Sequence, residues 1–338
     1  MNAPDSPVLV LGNGGFGTAL ALVLHEGGRD VRVWGNDPDY TREIERSREN
    51  PKFLPGVRLP DEIRYSPRIE ELMPGVEVVV SAIPTQFLRA SLERLREHLP
   101  GDVLVISCSK GFERGTLELP TRVIADVLPS PRVGVLSGPS HAEEIAQRLP
   151  TTVVVAAADG EQGRRIQALF HSPSFRAYTS PDPLGVEIAG ASKNVIALAS
   201  GIADGLGFGD NARAALICRG AMEITRIGCA LGARRETFSG LSGIGDLVAT
   251  CTSAHSRNRT VGLELGRGEA LQDILASTEK VTEGVETTRA LFELAGRLGV
   301  EVPITAEVHA VLFEGKDPRE AVADLMGREP REETEPGK

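Results

Sequence analysis

Lysine is scarce in this chain. Six of its 37 basic side chains are lysines: Lys52, Lys110, Lys193, Lys280, Lys316 and Lys338. Where a positive charge alone suffices, the sequence uses arginine. A lysine inside an apolar or Gly-rich stretch therefore reads as a chemical choice. No polybasic cluster is present, and the formal net charge is -10. Both facts argue against a nucleic-acid or anionic-membrane surface. An anionic ligand would have to be held by local groups. The four cysteines (Cys108, Cys218, Cys229 and Cys251) form no CxxC pair, which argues against a zinc site or a disulfide framework. No apolar run reaches transmembrane length, and "MNAPDSPVLVLG" enters a strand-like run without a charged leader. The expectation is a soluble, cytoplasmic protein with reduced thiols, no metal, no nucleic-acid partner and no membrane-inserted segment.

The first half alternates β-rich runs with helical patterns. The strand candidates are "PVLVLG", "VRVW", "VEVVVSAI", "DVLVIS", "RVGVLSG" and "TTVVVAAA". Near-continuous Val/Ile/Leu strands alternating with helices predict a doubly wound, Rossmann-type α/β domain with a mostly parallel sheet. Strand patterns stop near Pro181, after the turn-like link "YTSPDPLG", and helical periodicity runs on to about Leu325. The predicted organisation is a dinucleotide-binding domain over 1–182, an all-α domain over 183–328 and a polar tail over 329–338. The cleft between the two domains is the default ligand site.

"VLVLGNGGFGTALALVL" places Gly12, Gly14 and Gly17 in GxGxxG spacing, after an apolar strand and at the opening of a helix. That context gives the motif its meaning. Gly12 permits the turn, Gly14 lets backbone approach a pyrophosphate, and Gly17 lets helix pack on strand. The second strand is followed by Asn36 where an acid would favour the free ribose of NAD. Asn36 does not repel a 2′-phosphate, and Arg32 stands too early to clamp one, so NAD and NADP both remain open.

Three further loops carry polar cargo. "SCSKGFE" sets Lys110 before a glycine at a strand end, where it is either a crevice lysine or a solvated turn lysine. "SGPSHAEE" offers Ser140 as a helix cap or a ligand contact, with His141 read as structural. "GLSGIGDLVATCTSAHSRNRT" brings Asp246 after three glycines, then Ser256, Arg257 and Asn258. An arginine fork suits a phosphate. Arg257 and Arg259 are not both expected to face inward, and Cys251 reads as a buried structural thiol. In "EIAGASKNVIALASG", Lys193 and Asn194 interrupt a small apolar run. On helix statistics Lys193 snorkels from a helix edge. If buried, its pKa falls and it can exchange a proton near neutral pH, as oxidation of a secondary alcohol requires.

The strings "GNGGFGTALA", "SKGFE", "LSGPSHAEE", "VEIAGASKNVIALASGIADGLGFGDNARAAL", "GLSGIGDLVATCTSAHSRNR" and "FEGKDPREAV" resemble the bacterial NAD(P)-dependent glycerol-3-phosphate dehydrogenases, from Val8 to about Arg328. The resemblance implies a helical domain of the 6-phosphogluconate-dehydrogenase type and interconversion of sn-glycerol 3-phosphate with dihydroxyacetone phosphate. It implies NAD or NADP as cofactor, a homodimer, and a role in supplying phospholipid backbone. It makes Lys193 the proton acceptor. It assigns Lys110, Gly138, Ser140, Lys193, Asp246, Ser256, Arg257 and Asn258 to the substrate. It assigns Gly12, Gly14, Gly15, Phe16, Gly17, Asn36, Phe53, Lys110, Ala142, Arg257, Val281 and Glu283 to the cofactor. The sequence departs from the family's usual residues at Asn13, Phe16, Phe53, His141 and Ser192, and none of these departures removes a charged group. Two other readings stay open on the residues alone: a sister 3-hydroxyacid oxidoreductase and a non-catalytic dinucleotide sensor.

Overall fold

The computed structural model describes residues 6–277, 282–330 and 332–333. Val281 and most of the polar tail lie outside the described residues. The strands are β1 (Val8–Leu11), β2 (Val31–Trp34), β3 (Glu49–Asn50), β4 (Leu54–Arg58), β5 (Arg64–Ser66), β6 (Val78–Ser81), β7 (Leu104–Ser107), β8 (Arg132–Ser137), β9 (Thr151–Ala156) and β10 (Phe175–Ser180). The helices of this half are α1 (Gly15–Glu26), α2 (Pro38–Ser47), α3 (Ile69–Leu72), α4 (Thr85–Leu95), α5 (Pro120–Val127), α6 (Ala142–Ala146) and α7 (Gly160–Leu169).

Eight strands form one sheet in the order β10-β9-β8-β7-β6-β1-β2-β5, while β3 and β4 form a separate ribbon. The sheet is parallel from β5 to β8. β9 then runs antiparallel to β8, and β10 runs parallel to β9. The β1, β6 and β8 strands are fully or largely buried, with apolar clusters on both sheet faces. This double burial is why their sequences read as continuous Val/Leu runs.

The register fixes the site. Leu11 sits opposite Trp34 and Ser81, and Ser81 sits opposite Ser107. Four strands therefore end level. The Gly12 loop, Asn36, the Ala82–Pro84 turn and Lys110 leave the same edge. The chain order reverses across β1, and a crevice at such a switch point is where open α/β sheets bind ligands.

Two expectations need correction. "YTSPDPLG" is not all turn, because Tyr178–Ser180 completes β10. The structured link is shorter, and Asp182 caps the next helix through the Gly185 N–H at 3.0 Å. The six strand candidates also omit β3, β4, β5 and β10, which are short or exposed along one side.

After β10 the chain is helical: α8 (Pro183–Gly205), α9 (Asp210–Ala230), α10 (Asp246–Thr252), α11 (Arg257–Gly266), α12 (Leu271–Ala276), α13 (Glu283–Leu298), α14 (Pro303–Phe313) and α15 (Pro318–Met326). α8 is the axis of this half, buried almost end to end. Its small residues admit α11 at backbone distance. A Cβ on Gly201 would collide with the Arg259 carbonyl, one on Gly205 with the Leu263 carbonyl, and one on Gly262 with the Leu198 carbonyl. Side chains of any size would separate the helices. Among the described residues, no helix is long and apolar enough to cross a membrane.

Candidate active site

The level strand ends and the faces of α8 and α11 enclose a cavity of about 680 Å³. One end is lined by Trp34, Asn36, Phe53 and Arg94; the other by Lys110, Lys193, Asn194, Thr250, Arg257, Asn258 and Glu283. The Gly12–Gly17 loop and Ala142 lie along its wall.

The loop has the shape that its sequence predicts. Gly12 adopts φ +108, and a Cβ on Gly17 would collide with the Gly12 carbonyl, which lets α1 start against β1. A Cβ on Gly14 would meet nothing within 4 Å, so backbone is open to the cavity there. α1 presents its N-terminal N–H groups at this point. Asn13 braces the loop: its Nδ2 donates to Thr41 Oγ1 at 3.0 Å, and Asn50 Nδ2 donates to its carbonyl at 2.9 Å. Bare backbone, a helix N-terminus and a long cavity suit a dinucleotide.

At the other end, Lys193 is 7% exposed, so the snorkelling account fails. Its Nζ donates to Asp246 Oδ1 and, at 2.7 Å, to Thr250 Oγ1. Lys110 Nζ donates to Asp246 Oδ2 at 2.8 Å and to the Gly138 carbonyl at 3.2 Å. Two ammonium groups thus share one carboxylate. Burial pulls the Lys193 pKa down to about 8, with Asp246 opposing the fall and Lys110 adding to it. Burial alone would raise Asp246, but the two lysines reverse this and hold it below the usual carboxylate value. A π-helical turn over Leu241–Gly245 delivers Asp246 to this spot. Such turns recur at functional sites.

Asn194 and Asn258 complete the wall. Asn258 Nδ2 donates to Asn194 Oδ1 at 2.9 Å, and its Oδ1 accepts the Gly284 N–H at 3.0 Å. Glu283 is raised by burial, with nearby Arg257 pulling the other way. Ser256 caps α11, accepting the Arg259 N–H at 3.3 Å. Arg259 turns away and binds Asp204 at 2.8 Å, as expected for one of the two arginines.

Several placements differ from the sequence reading. Ser140 does not cap α6; His141 holds the cap position, and Ser140 Oγ donates to the Gly138 carbonyl at 2.8 Å. Gly138 and Asp246 stand behind the two lysines rather than in the cavity lining. His141 lines the cavity, with burial and then Lys193 lowering its pKa. Cys251 is buried, and its thiol is pushed up to about 12, as a structural cysteine should be. Sequence reasoning missed Thr250, Phe87, Arg94 and His255 in the lining. Thr250 was findable, because it follows Asp246 by one helical turn.

Residues 7–162 match the model described as the NAD-dependent glycerol-3-phosphate dehydrogenase N-terminus, and residues 182–323 match its C-terminus model. The chain belongs to this family. It is 51% identical over 329 residues to the glycerol-3-phosphate dehydrogenase (NAD(P)+) of Geobacillus kaustophilus, covering 96% of each chain. It is 47% identical to that of Chlorobium phaeobacteroides, covering 96% of this chain and 98% of the relative. The crystal structure of glycerol-3-phosphate dehydrogenase from Coxiella burnetii matches with TM-score 0.92 at 36% identity, covering 96% and 99% of the two chains. The C-terminus model begins at Asp182, where β10 gives way to α8.

Proposed function

We propose that the chain interconverts sn-glycerol 3-phosphate and dihydroxyacetone phosphate with Lys193 as the proton acceptor. Family membership carries the coarser statement, an NAD(P)-dependent glycerol-3-phosphate dehydrogenase. Bound NAD or NADP supplies the hydride acceptor for oxidation and the hydride donor for reduction. The chain's residues supply the proton chemistry and the positioning.

The observation that carries the reading is Lys193, buried at the cavity wall with its pKa drawn down to about 8. Near neutral pH both of its forms are populated. Neutral Nζ can take the hydroxyl proton as the carbon is oxidised. Protonated Nζ can polarise the carbonyl and return the proton in the reverse direction. Asp246 and Thr250 fix Nζ in place. Lys110 adds positive charge beside the reacting oxygen. Arg257, with Ser256 and Asn258, is assigned the substrate phosphate, since its planar fork matches phosphate oxygens. Gly138 and Ser140 support Lys110 in this reading. Gly12, Gly14, Gly15, Phe16, Gly17, Asn36, Phe53, Ala142 and Glu283 are assigned to the dinucleotide. Residues 1–182 would then be the dinucleotide-binding domain and 183–328 the substrate domain. The family resemblance also supports a cytoplasmic homodimer that supplies glycerol 3-phosphate for phospholipid synthesis.

The test is reduction of dihydroxyacetone phosphate, followed at the reduced-nicotinamide absorbance, with NADH and NADPH in parallel and 3-hydroxyacids as alternative substrates. Lys193→Met should lower kcat by about a thousandfold or more while cofactor binding persists. Substantial turnover by that variant, or preference for a 3-hydroxyacid, would sink the proposal.

A further inference from the structure

The far end of the cavity carries a feature that the catalytic reading does not use. Arg94, in the last turn of α4, reaches across to Asn36, and its Nη2 donates to Asn36 Oδ1 at 2.6 Å. Its guanidinium carbon lies 5.5 Å from the centroid of the Trp34 ring. All three residues line the cavity. Asn36 follows β2 directly after Gly35, at the position that reads the 2′-substituent of an adenine-side ribose in this fold.

Among the described residues that line this end of the cavity, Arg94 is the cation. Arg32 is buried and spent, donating to the Leu72 and Pro74 carbonyls at 2.7 Å and to Asp30 at 2.9 Å. The nearest acid after β2 is also occupied. Asp37 caps α2, accepting the Asp39 N–H at 3.0 Å and the Tyr40 N–H at 3.1 Å. Among the described residues no carboxylate pairs with Arg94; its partners are a neutral amide and an aromatic face. A guanidinium has five donors in a rigid fork, and one is used here. Stacking on Trp34 and bonding to Asn36 hold the plane before any ligand arrives.

We propose that Arg94 reads the ribose 2′-phosphate and makes this enzyme select NADP(H) over NAD(H). Asn36 serves as its positioning partner. The inference rests on the dinucleotide reading of the cavity, but on neither the substrate nor Lys193. A 2′-phosphate would meet an oriented, uncompensated fork and no competing carboxylate. A bare 2′-hydroxyl would gain little from the same fork.

The test measures binding with no substrate present, so hydride transfer plays no part. Adenosine 2′,5′-bisphosphate and 5′-AMP are titrated into the full-length protein by calorimetry, and NADPH and NADH by fluorescence. The wild type should bind the 2′-phosphorylated member of each pair at least ~10-fold more tightly, the scale of a charge-assisted bond. Arg94→Ala should remove that preference, and Arg94→Lys should keep only part of it. Asn36→Asp should reverse it, because the new carboxylate would occupy Arg94 and accept a ribose hydroxyl. Equal binding of both members by the wild type would overturn the proposal. So would an Arg94→Ala preference equal to that of the wild type, or equal weakening of both ligands. Lys193→Met should keep the full preference, which separates failure here from failure of the catalytic assignment.

Discussion

Lys193 and Asp246 come from different helices, and their contact lies at the cavity floor with Asp246 only 2% exposed. The carboxylate is therefore reserved for the lysines. Asp246→Asn would leave two ammonium groups facing each other with no counter-charge. Because Asp246 raises the Lys193 pKa, its loss should lower that pKa further. The pH profile of kcat/KM should move to lower pH by about one unit or more. A merely structural effect would lower the rate without moving the midpoint. Thermal stability should also fall, by ~3 kcal/mol, as on breaking a buried pair.

The two reaction directions should show opposite pH dependence. With Lys193 as the proposed proton acceptor, oxidation would need its neutral form, so kcat/KM should rise with pH and level off above about 8. Reduction needs the ammonium form, so it should fall through the same midpoint. Initial rates from pH 6 to 10 in each direction would check this. A shared midpoint with the same sign in both directions would remove Lys193 from the proton step.

The α8–α11 seam should tolerate no added methyl. Gly201→Ala places a Cβ against the Arg259 carbonyl. The expected cost is roughly 1–3 kcal/mol, the usual range for overpacking. It should also lower kcat/KM, since Arg257 and Asn258 open the helix that is pushed away. Circular-dichroism melts with parallel assays would show both losses. Ala at Gly296, where a Cβ meets nothing within 4 Å, is the matched control.

A second buried acid predicts a stability slope. Glu187 on α8 accepts the Thr121 N–H at 2.9 Å and the Thr121 hydroxyl, joining α8 to α5. Burial raises its pKa to about 7 from the ordinary carboxylate value of 4.5, with both Thr121 bonds opposing. A raised pKa means that the folded state holds a proton which the unfolded state has released. The stabilisation is full below about pH 4.5 and is lost as pH rises through 7. Glu187→Gln keeps the shape and an acceptor, so it should flatten this slope. At pH 8 it should raise stability by roughly 1–3 kcal/mol. Denaturant midpoints at pH 5 and pH 8 would measure the difference.

The parallel core and the glycine loop were legible because each is a local pattern: strand, turn, helix. β10 was not. Its exposed Arg176 and Tyr178 leave only Phe175 and Ala177 turned inward, and its neighbours spell a turn. The direction of β9 was hidden for the opposite reason, since a fully buried strand reads alike both ways. In the site, residue types were legible but partnerships were not. Lys193 showed no acid nearby in sequence, because its counter-ion lies on α10. The lysine shortage pointed to it, while only packing could show the shared carboxylate. Arg94 gave no signal at all. An arginine in the last turn of an amphipathic helix looks like a solvated end, and Asn36 becomes its partner only through the level strand ends.

The Asp246 bridge has one more consequence. Lys110 belongs to the sheet edge, and Asp246 belongs to the helical half. Drawing the two halves apart would strip a buried anion of one of its two cations. The bridge acts as a rivet rather than a hinge. The polar environment of the reaction is assembled before substrate arrives, so little binding energy is diverted into closing the cleft and little reorganisation remains for the moment of proton transfer.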